Sequence, residues 1–204
     1  MNEIRHIVFD LGRVVLHWDP EIPYRRLIPD AAKRQRFLTE ICNSDWLRNT
    51  DLGSDWGNAE RALIAQYPDD EELIRAYRRH WHEMVPNMVE GTPEIIEALI
   101  ANGHDLTALT NFAEDTFEEA RTRFPILQSF RGITVSARVR IAKPDQKIFH
   151  RHARDFDVEP RATLFFDDMP ENVAAARRAG WNAERFSDAG TMRADLKRYA
   201  VELG

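Results

Sequence analysis

A single cysteine, Cys42, in 204 residues leaves no partner for an intramolecular disulfide and no CxxC redox or zinc motif. A buried structural thiol is the role that remains for it. Lysine is almost as scarce: of 28 cationic side chains only Lys33, Lys143, Lys147 and Lys197 are lysines, so a lysine in an unusual context stands out. There is no long basic run and the net charge is -6, which argues against a nucleic-acid-binding face. No apolar run approaches the roughly 20 residues needed to cross a bilayer, so no membrane partner is expected. Repeats, low-complexity tracts and flexible Gly/Ser linkers are also missing. The opening Met1-Asn2-Glu3-Ile4-Arg5-His6 runs into a strand-like segment instead of a signal sequence, and the expected address is cytoplasmic. What is present, 43% hydrophobic and 30% charged residues, describes a globular chain able to bury a core, with one domain carrying an insertion or two small domains.

The first strand signal is Ile4 to Phe9, whose apolar run stops abruptly at Asp10. Leu11 to Trp18, with Gly12 followed by β-branched Val14 and Val15, predicts a turn and short hairpin. From Pro20 to about Met88 the pattern becomes helical and proline-punctuated, with spacings such as Ala59-Leu63-Ile64-Tyr67 and Leu73-Ala76-Tyr77-His80-Met84. Thr92-Pro93-Glu94 reads as an N-cap with proline at the first helical position, for a helix closed by Asn102-Gly103. Strand and helix then alternate. Strands are expected at Leu106 to Leu109, Gly132 to Val135, Ala162 to Phe166 and Ala183 to Phe186. Helices are expected near Thr116 to Arg123, Gln146 to Asp155 and Glu171 to Ala179, and from about Met192. Such alternation predicts an α/β fold: a doubly wound, Rossmann-like parallel sheet with helices on both faces. The expected core is 1–18 with 89–204, and 19–88 is a helical cap insertion.

Three strand ends terminate in polar groups: Phe9-Asp10, Leu109-Thr110-Asn111 and Phe165-Phe166-Asp167-Asp168. In a parallel sheet all three lie on one edge, where open α/β sheets bind their ligands. Lys143 precedes Pro144, is therefore biased away from helical dihedrals, and can reach the same edge from a loop. The remaining signals read more blandly. Tryptophans 18, 46, 56 and 81 are expected in the core, although Trp46 and the Asn49-Thr50-Asp51-Leu52-Gly53 loop are the best insertion candidates for substrate contact. His80 with His82, and His150 with His152, are two apart on helices and do not share a face, so neither is a metal pair.

In chain order, Ile7-Val8-Phe9-Asp10-Leu11-Gly12, Leu109-Thr110-Asn111, Lys143-Pro144-Asp145 and Phe165-Phe166-Asp167-Asp168 with Asn172 resemble the four motifs of the haloacid dehalogenase-like (HAD) superfamily. The following Ala174 to Gly180 is similar to that family's helix, and the insertion lies where a cap enters between the first and second motifs. The insertion has a modest likeness to the branch containing sugar-phosphate phosphatases and the phosphatase domain of soluble epoxide hydrolase. The resemblance implies a Mg²⁺-dependent phosphatase of a small phosphorylated metabolite, a sugar phosphate among the candidates. It implies Asp10 as the nucleophile that forms an aspartyl-phosphate. Mg²⁺ would be held by Asp10, the backbone carbonyl of Gly12 and Asp168, with Asp167 as an alternative ligand or a support. Thr110 and the amide of Asn111 would hold phosphate, and Lys143 would neutralise phosphate and nucleophile.

Gly12 departs from the pattern. Most phosphatases of the superfamily carry a second aspartate there, which protonates the leaving oxygen and then activates water. General acid/base help contributes roughly 10²- to 10⁴-fold, so the loss bears on activity without touching the backbone carbonyl. His17 and Asp19, in the predicted hairpin, are the nearest substitutes. Two other functions fit the same motifs: a 2-haloacid dehalogenase, which needs no metal, and a catalytically weak phosphate-binding or regulatory protein. Substrate identity and oligomeric state are not legible in the chain.

Overall fold

The computed structural model describes residues 3–203, so Met1, Asn2 and Gly204, which the expected core boundaries include, lie outside the described residues. Five strands form one wholly parallel sheet: β1 (His6–Phe9), β2 (Asp105–Thr110), β3 (Gly132–Val135), β4 (Thr163–Asp167) and β5 (Asn182–Arg185), in the spatial order β3-β2-β1-β4-β5. Alternation along the strands divides their side chains between two faces. Ile7, Phe9, Leu106, Ala108, Leu164 and Phe166 enter one hydrophobic cluster, while Val8, Leu109 and Phe165 enter the other. Burial on both faces is why these strands read as near-continuous apolar runs.

Between β1 and β2 the chain is helical: α1 (Glu21–Leu27), α2 (Ala31–Arg36), α3 (Ser44–Asp51), α4 (Trp56–Ile64), α5 (Glu71–Arg79), α6 (Trp81–Met84) and α7 (Thr92–Ala101). A short π-helical turn, Phe37–Ile41, continues α2. Side-chain caps start several of these helices: Asn43 accepts from the Trp46 N–H and Asp55 from the Asn58 N–H, satisfying amides that have no partner within the helix. The inner faces pack Trp46 edge-on against Tyr77 at 5.3 Å and against Trp56 at 5.6 Å. This aromatic core is continuous with the cluster on one face of the sheet.

The second half alternates as expected, through α8 (Glu114–Arg123), α9 (Ser136–Val139), α10 (Gln146–Asp155), α11 (Pro170–Arg178) and α12 (Ala189–Arg198). Boundaries move by one to three residues, because caps outside the apolar pattern set them; Asp188, for example, accepts from the Thr191 N–H and starts α12 ahead of Met192.

Two local expectations are corrected. Leu11 to Trp18 is a tight loop, not a hairpin: the N–H groups of Val14, Val15 and Leu16 all turn back to the Leu11 carbonyl, and Val14 and Val15 are buried. Their β-branched side chains fill core space, and the loop instead pairs with the exit segment through His17 N–H to Asn87 O and Val89 N–H to Val15 O. Thr92 is not the cap of α7. Gly91, at φ +80°, occupies that position, and Thr92 Oγ1 is buried without a hydrogen-bond partner among the described residues.

Candidate active site

Parallel register brings the acids together. Phe9 pairs with Phe166 and the Asp10 N–H donates to the Phe166 carbonyl at 2.9 Å, so Asp10 and Asp167 emerge side by side at the carboxyl ends of β1 and β4. Carboxylate oxygens of Asp10, Asp167 and Asp168 lie within 4.8 Å of one another, a spacing that a single metal ion could bridge. Lys143 completes the group from the turn before α10. Its ammonium is buried and lies 2.8 Å from Asp10 Oδ1 and 2.7 Å from Asp167 Oδ2.

Each side chain is held by others. Asp10 Oδ1 also accepts the Leu11 N–H at 2.7 Å, which leaves Oδ2 without a hydrogen bond among the described residues. Asp167 is saturated: it accepts from Lys143, from the Met169 N–H at 2.9 Å and, on its two carboxylate oxygens, from Asn172 Nδ2 at 2.9 and 3.1 Å. Asp168 is less engaged, with Arg13 at 3.8 Å, and faces the cleft. The Asn111 side chain clamps the Lys143 backbone, donating to its carbonyl at 3.0 Å and accepting its N–H at 2.8 Å. Asp145 caps α10 immediately after Pro144, fixing where the lysine turn ends.

The charges are unbalanced. Burial opposes the Lys143 charge, but the adjacent Asp10 and Asp167 carboxylates outweigh it and hold its pKa above the ordinary lysine value. Burial pushes Asp10 up to about 7; Lys143 pulls it down, and Asp167 pushes it further up. Asp168 is raised by burial and by Asp167, against the pull of Arg13 and Lys143. Three carboxyl groups facing the Lys143 ammonium, with the Arg13 guanidinium at 3.8 Å from Asp168, leave an excess of acid groups over cations that a bound cation would offset.

A cleft of about 310 Å³ opens above this floor. Of the residues singled out in the sequence, it is lined by Asp10, Gly12, Asn111, Lys143 and Asp168. Thr110 is buried at the end of β2 and Asp167 beneath Lys143, neither on the cleft wall. The opposite wall comes from the helical segment, where Trp56, Tyr77 and Trp81 stand with Ser44, Leu47, Thr50 and Asp51, and Trp18 and Phe112 extend its aromatic surface. Trp56 and Trp81 thus belong both to the core and to the cleft. Trp46 does not line it; its indole N–H donates to the Ala59 carbonyl at 3.1 Å and its ring backs Tyr77. His17 is exposed, and Asp19 is occupied with the Glu21 N–H at 2.8 Å and with Arg25, so neither expected acid substitute reaches the cleft.

Two contributors were missed in the sequence, Arg13 and the carboxyl of Asp51, whereas Asn172 was picked out with the fourth motif. Arg13 sits at φ +60°, with its guanidinium stacked on Trp18 at 4.8 Å and near Asp168. Asn172 saturates Asp167. Asp51 lines the cleft from the last residue of α3, inside a loop singled out for contact but not for its acid.

A parallel α/β sheet with a helical insertion after its first strand, and an acid cluster with one buried lysine at the strand ends, define a doubly wound fold with a charged pocket at its carboxyl edge. Residues 50–184 match the haloacid dehalogenase-like hydrolase family, and the chain belongs to it. A sesquiterpene phosphatase of Aspergillus oryzae, AstK, is 25% identical over 186 residues, covering 85% of this chain and 85% of that protein. A predicted HAD-like family hydrolase from Porphyromonas gingivalis superposes with a TM-score of 0.76 at 22% identity, over 98% of this chain and 100% of the other. A HAD-family enzyme from Bacteroides thetaiotaomicron in complex with magnesium and inorganic phosphate has a TM-score of 0.70 at 17% identity, over 91% and 95% of the two chains.

Proposed function

We propose that this hydrolase is a Mg²⁺-dependent phosphatase acting on a phosphate monoester with a bulky apolar alcohol portion. The observation that carries the reading is Lys143 buried between Asp10 and Asp167 with Asp168 alongside, a floor built to collect cations and receive an anion. Asp10, the Gly12 carbonyl and Asp168 would hold Mg²⁺, which supplies Lewis-acid charge for the phosphoryl oxygens. Asp167, saturated by Lys143 and Asn172, orients the lysine instead of ligating.

Asp10 Oδ1 is pinned by Lys143 and the Leu11 N–H, and Oδ2 attacks phosphorus as the alcohol oxygen departs. Water then cleaves the aspartyl-phosphate, releasing inorganic phosphate and restoring the carboxylate. Lys143 spreads positive charge over nucleophile and phosphoryl group, and Asn111, on the cleft wall, holds the phosphate, with Thr110 buried behind it at the end of β2 as a support and not a direct contact. Asn111 has a second duty, since its side chain fixes the Lys143 backbone.

Residues 19–88 act as the cap, giving the cleft its aromatic wall. Trp18, Trp56, Tyr77, Trp81 and Phe112 give an apolar body a large aromatic contact surface and favour it over a polyol. The Aspergillus relative, a sesquiterpene phosphatase, points the same way.

The test is phosphate release by purified protein with and without Mg²⁺. Farnesyl monophosphate is expected to exceed glucose 6-phosphate in kcat/KM by about tenfold or more, the effect of burying a few methylenes. Asp10→Asn, nearly isosteric, is expected to fall to background. Substantial turnover by that variant, or chloride release from 2-chloropropionate without phosphate release from any ester, would overturn the reading.

A further inference from the structure

Position 12 has no side chain, yet an alkyl alcohol leaves as a basic alkoxide that needs a proton. Three carboxyl groups line the cleft, those of Asp10, Asp51 and Asp168, and the first and last belong to the acid cluster on its floor. Asp51 is the one on the opposite wall. It ends α3, where the negative pole of the helix disfavours a carboxylate, and among the described residues no hydrogen bond to its carboxyl offsets that placement. A half-buried acid against the wrong end of a helix is a local conflict of the kind found at functional sites. Beside it, Tyr77 lines the cleft, and its hydroxyl is buried with no hydrogen-bond partner among the described residues. An acid and an orphan hydroxyl are thus set into an aromatic wall.

The position is anchored. Gly53, at φ +92°, turns the chain after α3, and a Cβ there would lie 2.9 Å from the Ala137 carbonyl oxygen of α9. The turn that carries Asp51 is therefore seated directly on the sheet side of the cleft.

We propose that Asp51 is the general acid and base of the reaction, supplied by the helical segment in place of the side chain that Gly12 lacks; this rests on the phosphatase reading above. In the first half-reaction the Asp51 carboxyl gives its proton to the leaving oxygen as the phosphorus–oxygen bond breaks and Asp10 Oδ2 bonds to phosphorus. In the second, the Asp51 carboxylate takes a proton from the attacking water as the phosphorus–Asp10 bond breaks. Both carboxyl groups return to their starting states. Burial pushes the Asp51 carboxyl up to about 7, against the opposing pull of Lys143 and Arg48, which suits a group that must both give and take a proton near neutrality. Tyr77, the other titratable group facing it, is pushed well above the ordinary tyrosine value by burial and stays a neutral donor.

The experiment measures kcat/KM, which reports the first half-reaction, for p-nitrophenyl phosphate and hexyl phosphate in the Mg²⁺-loaded wild type and Asp51→Asn. Loss of the acid is expected to lower hexyl phosphate hydrolysis by roughly 10²-fold or more while changing p-nitrophenyl phosphate hydrolysis by less than about threefold. A burst of p-nitrophenol is expected in the variant, because aspartyl-phosphate hydrolysis also loses its base. Gly12→Asp in the Asp51→Asn background is expected to recover hexyl phosphate hydrolysis, since Gly12 has no left-handed φ and no heavy atom within 4 Å of a Cβ placed there. If Asp51→Asn fails to fold by circular dichroism, Asp51→Ala with added formate replaces it, and recovery of hexyl phosphate hydrolysis by formate is the supporting result. Equal losses on both esters, or no loss on either, overturn the role of Asp51 while leaving the phosphatase reading intact. A wild type inert on every ester with Mg²⁺ overturns both.

Discussion

A buried lysine between two carboxylates is costly to assemble, because each charge loses its water before it gains its partner. Lys143 meets that cost with two ion pairs at 2.8 and 2.7 Å and with a backbone held from both sides by Asn111. His152 shows the opposite solution, a titratable side chain buried as a neutral group. Its ring nitrogens lie 2.9 Å from Thr107 Oγ1 and 2.9 Å from Thr134 Oγ1, joining α10 to β2 and β3. Burial, with a smaller contribution from Arg131, pushes its pKa from 6.5 down to about 3. The unfolded chain therefore takes up a proton that the folded chain refuses. Stability from this site is complete above pH 6.5 and is lost as pH falls toward 3, by about 2 kcal/mol at pH 5. Urea unfolding at pH 7 and pH 5 is expected to show that loss in the wild type and a correspondingly smaller pH dependence in His152→Gln; identical slopes would refute the assignment.

Among the elements, the helical segment joins the sheet through a shared apolar core, supplemented by a few polar and backbone contacts. The Trp56 indole N–H donates to Asp115 at 2.9 Å, Arg78 pairs with Asp115 at 2.7 Å and Glu119 at 3.2 Å, and the turn at Gly53 rests on α9. The Arg78 pairs are partly exposed and each contributes at most about 1 kcal/mol, so backbone packing at Gly53 is the more stringent contact. Gly53→Ala would force a side chain into a positive-φ position and against the Ala137 carbonyl. The expected cost is about 2 kcal/mol in urea unfolding, accompanied by a drop in kcat/KM as Asp51 shifts. Unchanged stability and kinetics would show that α9 yields freely.

At the scale of the whole molecule, the acid cluster at one sheet edge is only partly compensated by Lys143 and Arg13, in a chain of net charge -6. A cation that binds the folded state alone stabilises it by mass action, by about 2.7 kcal/mol at a hundredfold excess over Kd. Mg²⁺ is expected to raise Tm of the wild type beyond what matched ionic strength in NaCl produces, and Asp168→Ala is expected to abolish that increment. An equal increment in Asp168→Ala would place the ion elsewhere.

The parallel sheet was legible in the chain because burial on both faces leaves apolar runs that end in polar residues, and Asp10, Asp167, Asp168 and Lys143 could be picked out because each interrupts a local pattern. The helical segment was legible as helices, since its apolar spacing is that of an amphipathic helix, but not as a wall of the cleft. Which aromatic rings face outward is set by packing between helices distant in sequence; Trp46, sealed behind Tyr77, and Trp56, on the cleft, are indistinguishable by spacing. The hairpin expected at Val14 and Val15 failed for a related reason, since β-branched residues serve a core as well as a strand. Local propensity, alternation and strand-end chemistry were thus determined by the sequence itself. The tertiary structure alone decided that Asp51 and Tyr77 meet Lys143 across one cleft, because their proximity depends on how α3 and α5 stack against the sheet, and no spacing along the chain records it.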